Sequence, residues 1–391
     1  MRRAYKFRAY PTVSQEGRAV RLLRDHCDLY NAALEERRDA WRKCNISVGF
    51  YGQCAQLSEI RKNDLAGQGR HSCTAQQQTL RRLDATFGVF FRRAKAKGPR
   101  VGYPRFKPYQ RFNQVRFVAG DGANAKWMPA GAGHWARASF QAVGHLKVRQ
   151  HRPVKGRVKT LQLKRECRRW YVIVVAEADP ESLPSSGHAV GIDVGVARFL
   201  TTSDGVVVTN PRFLATAQAR IARLQRRKER ATLGSGNRRR LRRALAREWR
   251  KVRNQRRDFH HKTARALVDA YDVLALEDLR IGGLTASARG TVEGPGRNVA
   301  QKAGLNRSIL DAGWGQFTSI LVAKAESAGR RVVRVEPGYT SLDCHTCGSR
   351  CVRPRQDTVI CPNCAEQDAD RNGACNIATR AGLGSGQAHV A

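Results

Sequence analysis

Six of the chain's eleven cysteines, Cys344, Cys347, Cys351, Cys361, Cys364 and Cys375, crowd into its C-terminal end. Four of them form two short pairs, Cys344-x-x-Cys347 and Cys361-x-x-Cys364, separated by thirteen residues. That is the spacing of two knuckles closing on one tetrahedral Zn²⁺ ion. Four thiolates leave no open position for water, so the expected zinc is structural and not catalytic. Cys351 and His345 lie beside the pairs as spare donors, for which packing or exposure is the more ordinary role. The other five cysteines, Cys27, Cys44, Cys54, Cys73 and Cys167, are scattered, so a metal site is expected here and not a disulfide framework.

Three carboxylates stand where strands or helices end. In GIDVGV, Val190, Ile192, Val194 and Val196 share one face of a strand, and Gly191, Asp193 and Gly195 share the other. A carboxylate in a largely buried strand needs a cation, and the flanking glycines leave room for a phosphate backbone to approach it. A structural Asp at a bend gives the same string. Glu277 closes the apolar run VLALE at its C-terminal end, where α/β sheets place ligands, although an ordinary strand end meeting solvent reads the same way. Asp370 precedes a helical stripe of Ala374, Ile377, Ala378 and Ala381, near the positive end of that helix, which also fits a plain capping residue. Taken together, three acids from three separated segments make a set of hard oxygen ligands for Mg²⁺ or Mn²⁺. Two such ions about 4 Å apart can activate a water on one side of a phosphodiester and stabilise the leaving oxygen on the other.

Phosphodiester chemistry agrees with the charge. Lys and Arg number 72 against 32 Asp and Glu, a net charge of +40. Such an excess repels itself within the isolated fold, and a long polyphosphate partner is the simplest counter-charge. A solvated basic surface kept for solubility is the plainer alternative. An anionic membrane fits less well, since the basic helices lack a bulky apolar face. No apolar run reaches the length of a membrane span, and the opening MRRAYKFRAYP lacks the apolar core of a secretory signal, so a cytoplasmic protein is expected. At 391 residues two or three domains are expected.

The elements that must position these groups follow from periodicity. Residues 3 to 9 alternate as a strand, Pro11 breaks it, and Ser14 can cap a helix carrying Leu23, Cys27, Tyr30 and Leu34 on one stripe. A second helix runs through Leu80, Leu83, Phe87 and Phe90 or Phe91 to a stop at Lys97-Gly98-Pro99, which makes residues 12 to 97 mainly helical. From Tyr103, Phe106, Tyr109 and Phe112 interleave with Arg105, Lys107 and Arg111, a pattern suited to base stacking with phosphate contact, or to a strand whose aromatics face a core. After a Gly/Ala-rich stretch at 119 to 133, LKVRQ, RVKTLQLKR and WYVIVVAEA read as strands. With the first strand they suggest a small β-barrel-like module into which the helical one is inserted. PESLPSSG at 180 to 187 reads as a linker. Beyond it, AVGIDVGVARFLTTSDGVVVT predicts two strands around a Ser-Asp-Gly turn, followed by two basic helices. VLALE, a helix through Leu310, Trp314, Phe317 and Leu321, and the strand RVVRVEP complete an α/β sheet sandwich.

The ordered set GIDVGV, LALEDL, NRSILDAGWGQF, GYTSLDCHTCGSR, CPNC and DADRNGACNI resembles the TnpB family, from about Gly187 to Ala381. Upstream, YKFRAYPT and PRFKPYQRF are similar to that family as well, so the resemblance is close to full length. Compact type V CRISPR effectors share these motifs and are the near alternative. The resemblance implies a RuvC (RNase H-like) nuclease domain at 187–340 and 366–391, interrupted by a zinc-binding knuckle at 341–365. It implies a wedge-like β-barrel at 1–11 and 103–180, holding a helical recognition lobe at 12–102. It also implies a prokaryotic, nucleoid-associated RNA-guided DNA endonuclease, one protein per guide RNA, that cuts target double-stranded DNA beside a short flanking motif and takes no small-molecule substrate. The family's three catalytic acids fall on Asp193, Glu277 and Asp370, while Asp368 lies two residues early in the third motif. Gly373 and Cys375 depart from that motif, where alanine and a polar residue are commoner, without removing an acid.

In such a complex the RNA–DNA heteroduplex lies in a basic channel. Residues 226 to 257 carry fifteen Lys or Arg against Glu229 and Glu248, and Arg226, Arg227, Lys228, Arg238, Arg239, Arg240, Arg250 and Lys251 are expected to contact RNA or heteroduplex phosphates. A partly solvated arginine-rich helix pair is the alternative. Three further readings use the same residues. One is a zinc-knuckle regulator with structural carboxylates, and another is a strand-transfer transposase. The third is an unguided junction resolvase, in which the large basic N-terminal half would have no task.

Overall fold

The computed structural model describes residues 1–96, 102–120, 124–291 and 293–383, and the expected helix stop at Lys97-Gly98-Pro99 lies outside them. The chain divides into two compact units, Met1–Asp179 and Pro180–Ala391.

The first unit runs β1 (Arg2–Tyr10), α1 (Val13–Cys44), α2 (Phe50–Asn63), a 3₁₀ turn (Gln68–Arg70) and α3 (Cys73–Lys95). Six strands follow: β2 (Gln114–Val118), β3 (Ala125–Met128), β4 (Trp135–Phe140), β5 (Gly144–Arg149), β6 (Arg157–Glu166) and β7 (Arg169–Glu177). They join β1 in one seven-stranded antiparallel sheet, ordered β2-β6-β7-β1-β5-β4-β3. Period-two alternation buries Tyr5, Phe7 and Ala9 of β1 with Trp170, Val172, Val174 and Ala176 of β7 on one face. Leu22, Tyr30 and Leu34 of α1 and Leu80, Leu83 and Phe87 of α3 join the same core. Thr12, not Ser14, caps α1, because Gln15 three residues on returns a hydrogen bond and completes a capping box. The Gly/Ala-rich stretch is not all loop: Ala125 to Met128 pair with β4 as strand β3.

The second unit runs β8 (Ala189–Val194), β9 (Arg198–Thr202), β10 (Val207–Thr209), α4 (Phe213–Arg230), α5 (Gly236–Ala270), β11 (Val273–Glu277), α6 (Ile281–Leu284), α7 (Val299–Ala312), α8 (Trp314–Ser327) and β12 (Arg331–Val335). A hairpin of β13 (Thr358–Ile360) and β14 (Glu366–Asp368) then leads into α9 (Ala369–Arg380). The main sheet has the order β10-β9-β8-β11-β12, with β8, β11 and β12 parallel and β9 and β10 antiparallel. One face packs Val190, Ile192, Leu274 and Leu276 on α5 and α8. The other packs Val273 and Ala275 on Ile377 and Ala378 of α9. Both faces are covered, as parallel strands require.

Two sequence expectations are corrected here. The run from Ala189 to Thr209 holds three strands, because the chain turns tightly after β8, where the Gly195 N–H donates to the Phe199 carbonyl at 3.2 Å. The helix expected through Leu310 and Leu321 is two, α7 and α8, broken at Gly313, whose φ of 71° is left-handed. A side chain at Gly313 would crowd His260 and Arg256. No helix among the described residues is long and apolar enough to cross a membrane.

Candidate active site and zinc knuckle

The three acids arrive on one face of the second unit's sheet. Asp193 has the parity of Gly191, and Glu277 that of Val273 and Ala275, so both point to the face covered by α9. The parallel register pairs Ile192 with Leu276, and one step further sets Glu277 beside Asp193 across strands about 4.8 Å apart. Asp370, in the first turn of α9, completes the group from the covering helix. Asp193 is half-buried, and its carboxyl is pushed up to about 7, first by burial and then by the negative charges of Glu277 and Asp370. Burial also raises Glu277, against a hydrogen bond donated to its Oε1 by the Thr340 hydroxyl. Burial raises Asp370 as well, against the pull of Arg198.

Two readings of the local sequence change. Gly191 makes no room for a phosphate: a side chain there would overlap the Ala374 carbonyl and the backbone of Ala378, so this glycine lets α9 lie flat on β8. A Cβ on Gly195 would lie 2.9 Å from the Arg198 carbonyl, so that glycine serves the β8–β9 turn. The capping role belongs to Asp368, which accepts from the backbone N–H groups of Asp370 and Arg371 at 3.1 and 3.0 Å. With Asp368 also holding Arg198 at 2.6 Å, Asp370 is left free of the cap. A Cβ on Gly373 would stand 3.6 Å from the Asp193 carboxyl carbon, in ordinary contact, so this departure from the motif is sterically neutral. Cys375 donates to the Ser203 carbonyl at 3.5 Å and burial raises its thiol.

Arg198 on β9, Thr340 and the knuckle's Arg353 were not singled out from the sequence. Arg353 exerts a favourable charge effect on both Asp193 and Asp370. Nothing in the local pattern marks it, because the loop that carries it is brought to the acids only by the folded knuckle.

The sulfurs of Cys344, Cys347, Cys361 and Cys364 all lie within 4.8 Å of one another, with Cys344 to Cys364 at 3.8 Å and Cys347 to Cys361 at 3.4 Å. A zinc tetrahedron with bonds of about 2.3 Å has sulfur–sulfur edges of about 3.8 Å, so the cluster fits one Zn²⁺. Burial opposes ionisation of Cys344, yet backbone N–H groups of Cys347 and Thr346 draw its thiol down to about 5, toward the metal-binding form. Cys351 packs in the buried knuckle core, where burial holds its thiol up at about 11. His345 is occupied by Asn372 of α9, which accepts from its backbone N–H at 2.9 Å. Asn372 and Asn376 in turn donate to the Asp343 carbonyl at 2.8 and 2.6 Å. The knuckle is thereby stitched to the helix that carries Asp370.

The basic candidates divide. Arg105, Arg111, Arg226, Arg227, Arg239, Arg240 and Lys251 are exposed, whereas Lys107, Lys228, Arg238 and Arg250 are half-buried. Lys107 lies 4.0 Å from the centre of the Tyr30 ring. Arg238 donates to the Lys228 carbonyl at 2.6 Å and pairs with Glu229, so it closes the α4–α5 turn. In the aromatic stretch Phe112 is buried and Phe106 and Tyr109 are exposed, so core packing and an outward-facing platform each account for part of it.

Residues 172–288 match the OrfB_IS605 family, described as a probable transposase, and residues 314–377 match the Cas12f1-like TNB domain. Residues 1–45 match a helix-turn-helix domain of the OrfB_IS605 group, although here they form β1 and one unbroken helix. The "Putative RNA-guided DNA endonuclease InsQ" of Escherichia coli (strain K12) is 32% identical over 383 residues, 96% of this chain and 91% of that protein. A Streptomyces pristinaespiralis protein described as a "Putative RNA-guided DNA endonuclease" is 30% identical over 389 residues, 96% of this chain and 89% of its own length. Among solved structures, Cas12f1 in complex with sgRNA and target DNA matches with a TM-score of 0.59 at 14% identity, over 93% of this chain and 82% of that one. The mini-RNA-guided endonuclease Cas_phi3 matches with a TM-score of 0.52 at 10% identity, over 99% and 93%. At these identities the structural likeness is one of fold.

Proposed function

Because the chain belongs to the TnpB family and is an RNA-guided DNA endonuclease, we propose that Asp193, Glu277 and Asp370 form its cleavage centre. Guide RNA and target DNA are its partners, and the net charge of +40 meets their phosphates. The observation that carries the assignment is the convergence of Asp193, Glu277 and Asp370, from two adjacent parallel strands and the helix that covers them, which together with burial raises the Asp193 carboxyl. A half-buried cluster of like charges is costly unless a cation enters, and such perturbed acids concentrate at functional sites. Mg²⁺ or Mn²⁺ held by these oxygens, as a pair, would supply a activated water and charge for the leaving oxygen of a phosphodiester.

The chain's own residues do the positioning. Asp193 and Glu277 are fixed on adjacent strands, so their oxygens are rigidly placed, and the Thr340 hydroxyl orients Glu277. Asp370 is aimed by the cap that Asp368 makes and by the asparagine stitches to the knuckle. Arg198, 3.7 Å from Asp370, tempers that carboxylate's charge. Around this centre we assign the nuclease domain to 187–340 and 366–391 and the knuckle, with one structural Zn²⁺, to 341–365. The antiparallel sheet of 1–11 and 103–180 serves as a wedge-like barrel and the helices within 12–102 as the recognition lobe, which together read a short flanking motif. Arg105, Arg111, Arg226, Arg227, Arg239, Arg240 and Lys251 are the exposed phosphate contacts of this reading.

The test is to purify the protein with its co-purifying RNA, sequence that RNA, and assay Mg²⁺-dependent cleavage of matched DNA. Cutting by the parent and none by Asp193→Ala is expected. Equal cutting by both would place the centre elsewhere.

A further inference from the structure

At the C-terminal end of α1 the first unit carries an aromatic cavity that folding alone does not explain. Trp41 is 57% exposed in the last turns of the helix, and Tyr103 and Phe106, from the segment between α3 and β2, are exposed beside it. With Arg38, Arg42 and Arg105 they line a cavity of about 390 Å³. That volume lies near the lower end of the range of about 300–1,000 Å³ common to small-ligand pockets. A tryptophan, a tyrosine and a phenylalanine left in water give up burial that each could have gained, so an exposed cluster of this kind marks a surface that is covered in the working complex.

The chemistry of the walls narrows the occupant. The Arg38 guanidinium sits 5.0 Å from the centre of the Phe106 ring, a cation stacked on an aromatic face. Tyr103 is braced edge-on by Phe87 and Phe90, with centroids 5.6 and 5.2 Å away, so its place is set by the core. None of the lining residues is acidic; Asp39, next to Arg38 in the chain, pairs with Arg38 at 3.5 Å and with Lys43 at 3.0 Å, which leaves Arg42 and Arg105 as the cavity's arginines without a carboxylate among the lining residues. Aromatic faces take the flat face of a base, and arginines at the rim take its phosphate. A base in a duplex is already stacked and shows the protein only its edges, so the cavity admits an unstacked one.

We propose that this cavity binds a single unpaired nucleobase of the guide RNA, stacked against Trp41 and Phe106 with its flanking phosphates on Arg42 and Arg105. Loops and bulges of a folded RNA offer such bases before any DNA is opened, whereas the displaced DNA strand exists only afterwards. The inference rests on the guided-nuclease reading for the existence of a bound RNA. It goes beyond that reading by assigning a site and a single-base ligand.

The RNA that co-purifies with the parent protein, sequenced, transcribed and labelled, is the probe. The doubly substituted Trp41→Ala, Phe106→Ala protein is expected to bind it about tenfold or more weakly. The slope of affinity against salt should stay the same in that variant, because no phosphate contact is lost. Arg42→Gln with Arg105→Gln should instead make that slope shallower, and Trp41→Phe, which keeps a ring, should retain most of the affinity. Ultraviolet cross-linking should join Trp41 or Phe106 to one nucleotide that is unpaired in the RNA. Parent-like affinity in the double aromatic variant overturns the proposal, as does cross-linking to the displaced DNA strand and not to RNA. If the parent itself retains no RNA, the guided reading has failed and takes the cavity's assignment with it. RNA retained equally by parent and variant fails the cavity alone.

Discussion

The two ends of the parallel strands in the second unit treat a half-buried aspartate in opposite ways. Just before β11, Asp272 accepts from the Ser185 hydroxyl at 2.5 Å, from the backbone N–H groups of Ser186 and Gly187 at 3.0 and 2.8 Å, and pairs with the buried Arg330. Burial opposes its charge, but these donors outweigh burial and hold its carboxyl well below the usual carboxylate range. At the far end of the same strands, Asp193 faces two more carboxylates and is pushed up to about 7. Both are aspartates at the ends of interior strands, and sequence position alone does not separate them. Donors do: an acid whose oxygens are saturated by its own chain is structural, and one left among like charges is poised for a cation.

Zinc removal should give the largest effect, because the knuckle holds the roof of the unsaturated end. Chelation, or Cys347→Ser with Cys364→Ser, should release the ties from Asn372 and Asn376 to Asp343 and let α9 drift. Loss of cleavage and of α9 protection in hydrogen exchange would be measured together, with the strands around Asp272 still protected. Protection of α9 unchanged by zinc removal would sever the knuckle from the site.

Next in size is Asp272→Ala, which strands Arg330 and several N–H donors and should destabilise the unit by about 3–5 kcal/mol in denaturant unfolding. The pH behaviour has a definite sign. Because its folded pKa is depressed, Asp272 contributes stability that is present above its unfolded value of about 3.9 and is lost as pH falls below it.

Asp193→Asn should act the other way and by somewhat less. With a folded pKa of about 7, the acid is favoured in its protonated form, so the metal-free protein loses stability as pH rises from about 4 towards 7. The amide removes that penalty. The metal-free variant should therefore be more stable than the parent at pH 8, on the order of a few kcal/mol and read as a higher melting point, and match it near pH 4. A lower melting point for the variant at pH 8 would mean that Asp193 has structural partners like those of Asp272.

What could be read from the sequence divides along the same line. Cysteine spacing is local, so the thiolate cluster is visible in the string, and its geometry is that of a tetrahedral zinc site. The three acids stood out because strand and helix ends can be placed from periodicity, and the fold does bring them to one face of the sheet. Gly191 was misread because its need for space is set by α9, a helix almost two hundred residues later in the chain. The family motif, and not periodicity, favours Asp370 over Asp368; periodicity leaves a capping role open at Asp370, since helix starts are uncertain by a residue or two, and the cap belongs to Asp368. Strand β3 was passed over because its only short apolar signal, Ala125 with Trp127, needs β4 as partner. Arg198, Arg353 and Thr340 act through contacts made only in the folded unit, and no pattern announces them.

The central claim is that the carboxylates around Asp193 are not balanced by Arg198 and Arg353 and are completed by a divalent cation. Titration calorimetry of Mn²⁺ into the metal-free protein at pH 6.5, repeated in two buffers of different ionisation enthalpy, tests it most directly. The account predicts binding that releases protons, because an acid near 7 must give one up to bind metal, with both the affinity and the release lost in Asp193→Asn. Equal affinity in parent and variant, with no proton released by either, would contradict it.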